Sequence, residues 1–329
     1  MKKRILLLFI ICLFLFSSCA HKEEKKLFSL SLDNTKDSVT YLYAEEFARL
    51  IGEMSDTMEI RIYPGAVLGN DRESIESLQI GDIDFVVQNT APQVAFVPEA
   101  AIFDLFMLYE DIDTVRRVMD GPFFDAITPY YEAKRIKVLG FADQHFRELT
   151  TNREIRSMED FEGLKIRTMA SPYHIRFWRE VGANPTPMNW GEVYIALGQK
   201  TIDAQENPYE SIVASRVYEQ QKYVIETHHV PHLVSLIMNL DTFDHLTDEE
   251  QRVIMEAAKR ATEKARRDAD ERLETKKKVV EDAGLTILSP SEEMLRAMRE
   301  RAAVVNDALR KTLDPELVNI LEEEIHADQ

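Results

Sequence analysis

The sequence predicts an α/β protein of two domains, with strands crossing between them and a long helix spanning both. Three observations predict it: strand and helix periods alternate over residues 28–87, the alternation resumes from residue 136, and the last third is helical. Strands that alternate with helices imply a parallel sheet with helices on its faces.

Phe28, Leu30 and Leu32 alternate with Ser29 and Ser31, a period of two that reads as a strand. Val39 to Met54 carries Tyr43, Phe47, Leu50 and Ile51 at helical spacing, and Ile60 to Tyr63 is a short strand closed by Pro64 and Gly65. A helix follows over Asp71 to Ile80, ended by Gly81, and then a strand over Ile83 to Val87. The second alternation predicts strands at Ile136 to Phe141 and Leu164 to Met169, a helix over Tyr173 to Val181 and a strand near Pro185 to Met188. A helix over Glu192 to Gln199 and strands at Lys222 to Glu226 and Leu233 to Leu240 complete it. No repeat or low-complexity linker separates the halves, so strands must cross the boundary.

Thr247 and Glu250 form a capping box, and Gly284 suits a helix C-terminus. About 36 residues between them would make roughly 54 Å of helix at 1.5 Å per residue, longer than one small domain is wide. Its inward positions are mostly alanine (Ala257, Ala258, Ala261, Ala265, Ala269), which argues against a coiled-coil arm. Ser289, Pro290 and Glu292 read as a second capping box opening a helix to about Leu313.

Lys2, Lys3 and Arg4 precede an apolar run from Ile5 to Phe16, then Ser17, Ser18 and Cys19. About twelve apolar residues are too few for a bilayer span of roughly twenty, and suit a signal peptide. Small residues before Cys19 fit a lipoprotein leader whose cysteine is acylated; an ordinary secretory signal or an uncleaved anchor is the alternative. Cys12 lies in the leader, so the mature chain keeps one cysteine and can hold no disulfide. Residues 20–26 are polar and suit a tether. Loss of the three basic residues takes the net charge from −18 to −21, a field that repels nucleic acid and anionic lipid. An anionic ligand would therefore need local cations.

No GxSxG, HExxH, P-loop or dinucleotide glycine pattern occurs. His228, His229 and His232 could bind zinc, but they fall between two strands beside Pro231, where structural roles fit better. Glu45 with Glu46, Glu249 with Glu250, and Glu322 to Glu324 lie on helix faces open to solvent. Arg147 follows a strand, and Arg167 lies inside an apolar one. A buried guanidinium requires an anion, met either by a bound carboxylate or by an internal Asp or Glu. Spacing alone leaves both open.

The central block resembles the substrate-binding proteins of TRAP transporters (tripartite ATP-independent periplasmic transporters, DctP-like). Asp160, Gly163 and Leu164 to Arg167 match D-x-x-G-L-K-(I/L)-R, and Gly182 to Met188 match G-A-x-P-x-P-M. Glu192 to Leu197, then Asp203 to Pro208, match E-V-Y-x-A-L and D-x-Q-E-N-P. Tyr218 to Tyr223, then Thr227 and His228, resemble Y-E-x-Q-K-(Y/F) and T-x-H. Tyr63 to Gly69 and Leu78 to Asp84 are weaker matches in the first half.

The resemblance implies a periplasmic-binding-protein-like fold with the ligand in the interdomain cleft. It implies a leader over 1–18, a tether over 19–26, a first domain of 27–143 with about 233–272, and a second of 144–232 with about 273–329. It makes Arg167 the carboxylate clamp, Arg147 a second cationic contact and Asn207 a hydrogen-bond partner. Trp190 would flank the ligand body, and Asp71, Asn89, Gln88 and His145 would serve hydroxyls or amines. His145 stands where the family often has glycine, and Asp104 to Met107 lacks the usual proline. The implied protein is no enzyme and carries no cofactor or metal. It is a lipid-anchored extracytoplasmic monomer that hands an organic acid, such as a hexuronate, to membrane permease subunits. A C4-dicarboxylate ligand, or a sensory role beside a membrane kinase, is the alternative.

Overall fold

The computed structural model describes residues 25–327; the leader, Cys19 and most of the tether lie outside the described residues. The first alternation builds β1 (Lys26–Ser31), α1 (Val39–Met54), β2 (Met58–Tyr63), α2 (Asp71–Ile80) and β3 (Phe85–Asn89). Ser38 caps α1, and Asn70 with Glu73 form a capping box on α2, whose end is fixed by Gly81 at φ 84°. β1 pairs in parallel with β2 and β3, so the carboxyl ends of all three open toward the same edge.

Two 3-10 turns follow, Ala91–Ala95 and Pro98–Asp104, then α3 (Ile112–Asp120), α4 (Pro122–Glu132) and β4 (Ile136–Phe146). The sequence pattern did not reveal α3 or α4. At Arg147 the chain leaves the first sheet, and β5 (Glu148–Thr151) begins the second. There follow β6 (Lys165–Thr168), α5 (Pro172–Val181), β7 (Asn184–Pro187), α6 (Trp190–Gly198), β8 (Ala204–Asn207), α7 (Tyr209–Ala214) and β9 (Tyr223–Ile225). The chain then returns as β10 (Pro231–Asn239), buried along its whole length. A strand covered on both faces reads as a continuous apolar run, as Leu233 to Met238 nearly does.

The first sheet has the order β2-β1-β3-β10-β4, and the second has β11-β9-β5-β8-β6-β7, where β11 is Thr286–Leu288. The expected parallel pairing holds for β1, β2 and β3, and each sheet becomes mixed where other strands join it. β10 enters from the other unit and so runs antiparallel to both β3 and β4, and β5 runs antiparallel to β8 and β9.

After α8 (Leu240–Asp244), α9 (Asp248–Asp282) runs 35 residues, about 52 Å at 1.5 Å per residue. The capping box of Thr247 and Glu250 opens it. Its alanines, 257 to 269, pack against α1 and β4 of the first unit, and Val280 belongs to the core of the second. Small residues permit this approach: a Cβ on Gly140 of β4 would lie 2.5 Å from Thr262 Oγ1 of α9.

Two details differ from expectation at the C-terminus. Ser291, not Ser289, caps α10 (Glu292–Arg310), which leaves Pro290 outside the helix. α10 packs on α5 of the second unit, but α11 (Pro315–His326) lies on α3 and α4 of the first. Leu313, Leu317, Leu321 and Ile325 form an apolar stripe that shares a core with Phe123 and Ile127. The chain from about residue 309 therefore packs with the first unit, a fourth connection between the units after the two crossings of strands and α9.

Candidate functional site

Parallel strands gather polar side chains at their carboxyl ends, where α/β folds place ligands. In the first unit these are Asp33 after β1, Asp71 at the start of α2, and Gln88 and Asn89 closing β3. In the second they are Arg167 and Thr168 on β6, Met188 and Trp190 beyond β7, and Asn207 ending β8. The two sets face each other: Asn89 Nδ2 lies 3.8 Å from Met169 Sδ across the cleft.

Arg147 and Arg167 are both buried, 1% and 4% exposed, so burial does not separate them. Their partners do. Arg147 donates through Nε and Nη2 to the Glu206 carboxylate, through Nη2 also to the Glu206 carbonyl, and meets His232 Nδ1 through Nη1. His229 Nε2 lies 3.0 Å from the same carboxylate. Burial alone would raise the Glu206 carboxyl, but Arg147 and His229 hold it well below the usual range. Burial, with Arg147 adding to it, lowers both His229 and His232. Arg147, expected as a ligand contact, thus has both prongs on an internal acid. That acid, Glu206, is the residue sequence reasoning passed over within its own D-x-Q-E-N-P match.

Arg167 has no such acid. Its Nε and Nη2 donate to a single acceptor, the Met188 carbonyl, at 2.9 and 2.7 Å. Its guanidinium lies 5.3 Å from the Trp190 ring centroid, and Trp190 is itself held by Nε1 donating to Ser215 Oγ at 3.0 Å. Among the described residues no carboxylate lies within ion-pair distance of Arg167. Burial, aided by Arg147, pushes its pKa down to about 10, against the pull of Glu206, Asp71 and Asp33. Asn207 is oriented by a chain in which its Nδ2 donates to Gln205 Oε1 at 2.7 Å and Gln205 Nε2 donates to Thr150 Oγ1 at 2.8 Å.

The first-unit wall supplies acids. Asp33 and Asp71 are half-buried, and neither side chain accepts a hydrogen bond from a described residue. Burial raises Asp33 to about 6 while Arg167 opposes the rise. Burial and the charge of Asp33 raise Asp71 well above the carboxylate range, again opposed by Arg167. Neither amide atom of buried Gln88 has a partner. Asp33 was not expected. The signal for it is positional: it stands two residues beyond a parallel strand.

His145 does not join this group. Its Nε2 lies 3.0 Å from Asp270 Oδ1 on α9, and its backbone holds φ 63°. That left-handed conformation favours glycine, the residue that the resemblance leads one to expect there. The three histidines considered for zinc also part company. His228 is exposed beside Glu148, His229 faces Glu206 and His232 takes Arg147. Asp104 is buried and bridges the units, accepting from Ser171 Oγ at 2.5 Å and lying 3.1 Å from His174 Nε2.

Comparisons with known proteins identify the family. The family model described as bacterial extracellular solute-binding protein, family 7 (DctP), matches residues 30–312. A solute-binding protein of Verminephrobacter eiseniae is 34% identical over 214 residues, 65% of this chain and 64% of that protein's length. The sialic acid-binding periplasmic protein SiaP of Vibrio cholerae is 30% identical over 252 residues, 76% of this chain and 78% of that one. Among solved structures, the sugar acid binding protein DctPAm of Advenella mimigardefordensis, in complex with galactonate, superposes with a TM-score of 0.88 at 28% identity. The superposition covers 93% of this chain and 100% of that one. Family model, relatives and fold agree that the chain belongs to family 7 of the bacterial extracellular solute-binding proteins, the receptors of TRAP transporters, which bind solutes outside the cytoplasm and are not enzymes.

Proposed function

We propose that this receptor captures a polyhydroxylated monocarboxylate, a sugar acid of the aldonate or hexuronate kind, and delivers it to membrane permease subunits. The observation that carries the reading is the contrast between the two arginines. Arg167 is buried, aimed into the cleft and free of any internal carboxylate, so a ligand carboxylate is the anion it lacks. Asn207 supplies a further hydrogen bond and Trp190 a flat wall. Arg147, already committed to Glu206, adds positive potential beneath the carboxylate rather than a second fork. Likeness to proteins that bind sialic acid and galactonate supports the ligand class. The leader and Cys19 support a lipid tether to the membrane.

Closure of the two units about the crossing strands would bury the ligand, as in other hinged receptors. The four apolar cores of the described residues, 25–327, are all built beyond residue 27, so a form lacking residues 1–19 keeps them whole. A thermal-shift screen of that form against D-galactonate, D-galacturonate and succinate tests the reading. Ligand at a hundred times its dissociation constant stabilises by about 2.7 kcal/mol, a readable rise in Tm. No shift with any organic acid, or an undiminished shift in Arg167→Ala, would overturn it.

A further inference from the structure

We infer, on the basis of the lipid tether proposed above, that the anchored receptor meets the membrane through the pole of its first unit opposite the cleft. Leu27 and Ile80 face the lipid surface there, and the cleft is held away from it.

Strand direction sets the pole. β1, β2 and β3 run in parallel with their carboxyl ends at the cleft, so their amino ends share the far edge of the sheet. The described chain enters at that edge. The Lys26 N–H donates to the Thr57 carbonyl just ahead of β2, and Lys26 Nζ bonds Glu250 in the first turn of α9. The ends of α2 and β10 arrive beside it, where Asn239 Nδ2 donates to the Leu78 carbonyl. Lys26, Phe28, Ile80 and Leu246 line one surface hollow at this pole.

Reach decides the orientation. Seven residue steps separate Cys19 from Lys26, and fully extended they span at most about 25 Å. α9 measures the distance from pole to cleft. It meets Lys26 at Glu250 and reaches the cleft edge at Arg272, which donates both to the Asp37 carbonyl beyond β1 and to the Glu210 carboxylate of the second unit. The 22 residues of helix from 250 to 272 are about 33 Å long at 1.5 Å per residue. A receptor turned cleft-down would lift the pole by that distance, farther than the tether can follow.

The surface of the pole suits lipid. Leu27 and Ile80 are large apolar side chains exposed to solvent, and Lys25, Lys26, Lys134 and Arg135 stand around them. Of these, Lys26 and Arg135 also meet Glu250 and Asp241. Apolar side chains with basic neighbours fit the boundary between headgroups and acyl chains. The basic group also offsets locally the net negative charge of the chain, which anionic lipid would repel.

Fluorescence quenching tests this on the mature acylated protein, in phosphatidylethanolamine and phosphatidylglycerol vesicles with a nitroxide on a fraction of the headgroups. The fluorophore is carried by Ile80→Cys at the pole, by Val67→Cys on the cleft side beyond β2, or by Ile195→Cys on the second unit. All three side chains are exposed, and the mature chain has no thiol besides Cys19. The label at position 80 should be quenched at least about threefold more than either of the others. Equal quenching of the three, or stronger quenching at position 67 or 195, overturns the inference. The intact mass of the extracted protein separates it from the reading beneath it. An acylated Cys19 with the wrong order of quenching overturns the orientation alone, and a Cys19 without acyl chains overturns the tether and the orientation together.

Discussion

The two walls of the cleft are built on opposite principles. Beneath the second-unit wall, Arg147, Glu206, His229 and His232 form a closed network in which each charge meets a partner from the same chain. At the cleft surface, Arg167 rests its guanidinium on a lone carbonyl, and Asp33 and Asp71 opposite it accept no hydrogen bond from a described residue. The same residue types serve stability in one place and recognition in the other. What differs is whether the chain supplies the counter-charge itself.

The largest test of that contrast removes the counter-charge from the closed network. Glu206→Ala leaves Arg147 buried and unpaired and should cost about 3–5 kcal/mol in urea unfolding. A loss under about 1 kcal/mol would mean that the network does not support the second unit. Arg167→Ala should do the reverse, weakening the sugar acid by about 2–5 kcal/mol with a much smaller change in unfolding free energy. Arg167→Lys should fail almost as badly in the same calorimetric titration, because a point charge cannot replace the planar fork over Trp190.

Acidification should expose the network before the cleft. His229 and His232 are buried with lowered pKa, so the unfolded chain takes up protons near pH 6.5 that the folded chain refuses. Stability then falls as pH drops below that value. Glu206, held low when folded, contributes stability above its ordinary carboxylate range that is lost as pH falls through and below it. The raised carboxyls of Asp33, Asp71 and Glu148 act in the opposite direction, so the share of the network is read as a difference between proteins. Between about pH 7.5 and pH 5.5, Tm should fall less, or rise more, on acidification in His232→Gln than in wild type, and an identical pH dependence in the two would contradict the reading of His232.

The smallest effect lies at the crossing strand. His145→Val places a β-branched residue at φ 63° and should cost about 1–2 kcal/mol, whereas His145→Asn tolerates that backbone and should stay within about 0.5 kcal/mol. Ligand affinity should change in neither, because the imidazole turns to Asp270 rather than the cleft. A drop in affinity for His145→Asn would return His145 to the site.

Much of the fold was legible because its signals are local. The periods that place Tyr43, Phe47 and Leu50 on one face, the caps at Asn70 and Thr247, and the glycine after α2 all act within a turn or two. α3 and α4 were not read, and α11 was read only as a helix face at Glu322 to Glu324, without its apolar stripe at Leu317, Leu321 and Ile325. Of the expected site residues, Arg167, Asn207, Trp190, Asp71, Asn89 and Gln88 stand at or beyond strand ends on the two sides of the cleft, while Asp33 went unseen and His145 lies against Asp270.

By itself the sequence determined the order of elements, the two α/β units, the long alanine-faced helix and the arginine-bearing strands. Periodicity and capping are short-range, and the family motifs stand in the chain as written. Only the tertiary structure decided which arginine already has its anion. Arg147 finds Glu206 across 59 residues, on a strand that pairs antiparallel with its own neighbour. No local period encodes that meeting. The same is true of Asp33 and Asp71, which parallel strands bring toward one edge, within electrostatic reach of Arg167 on the facing unit.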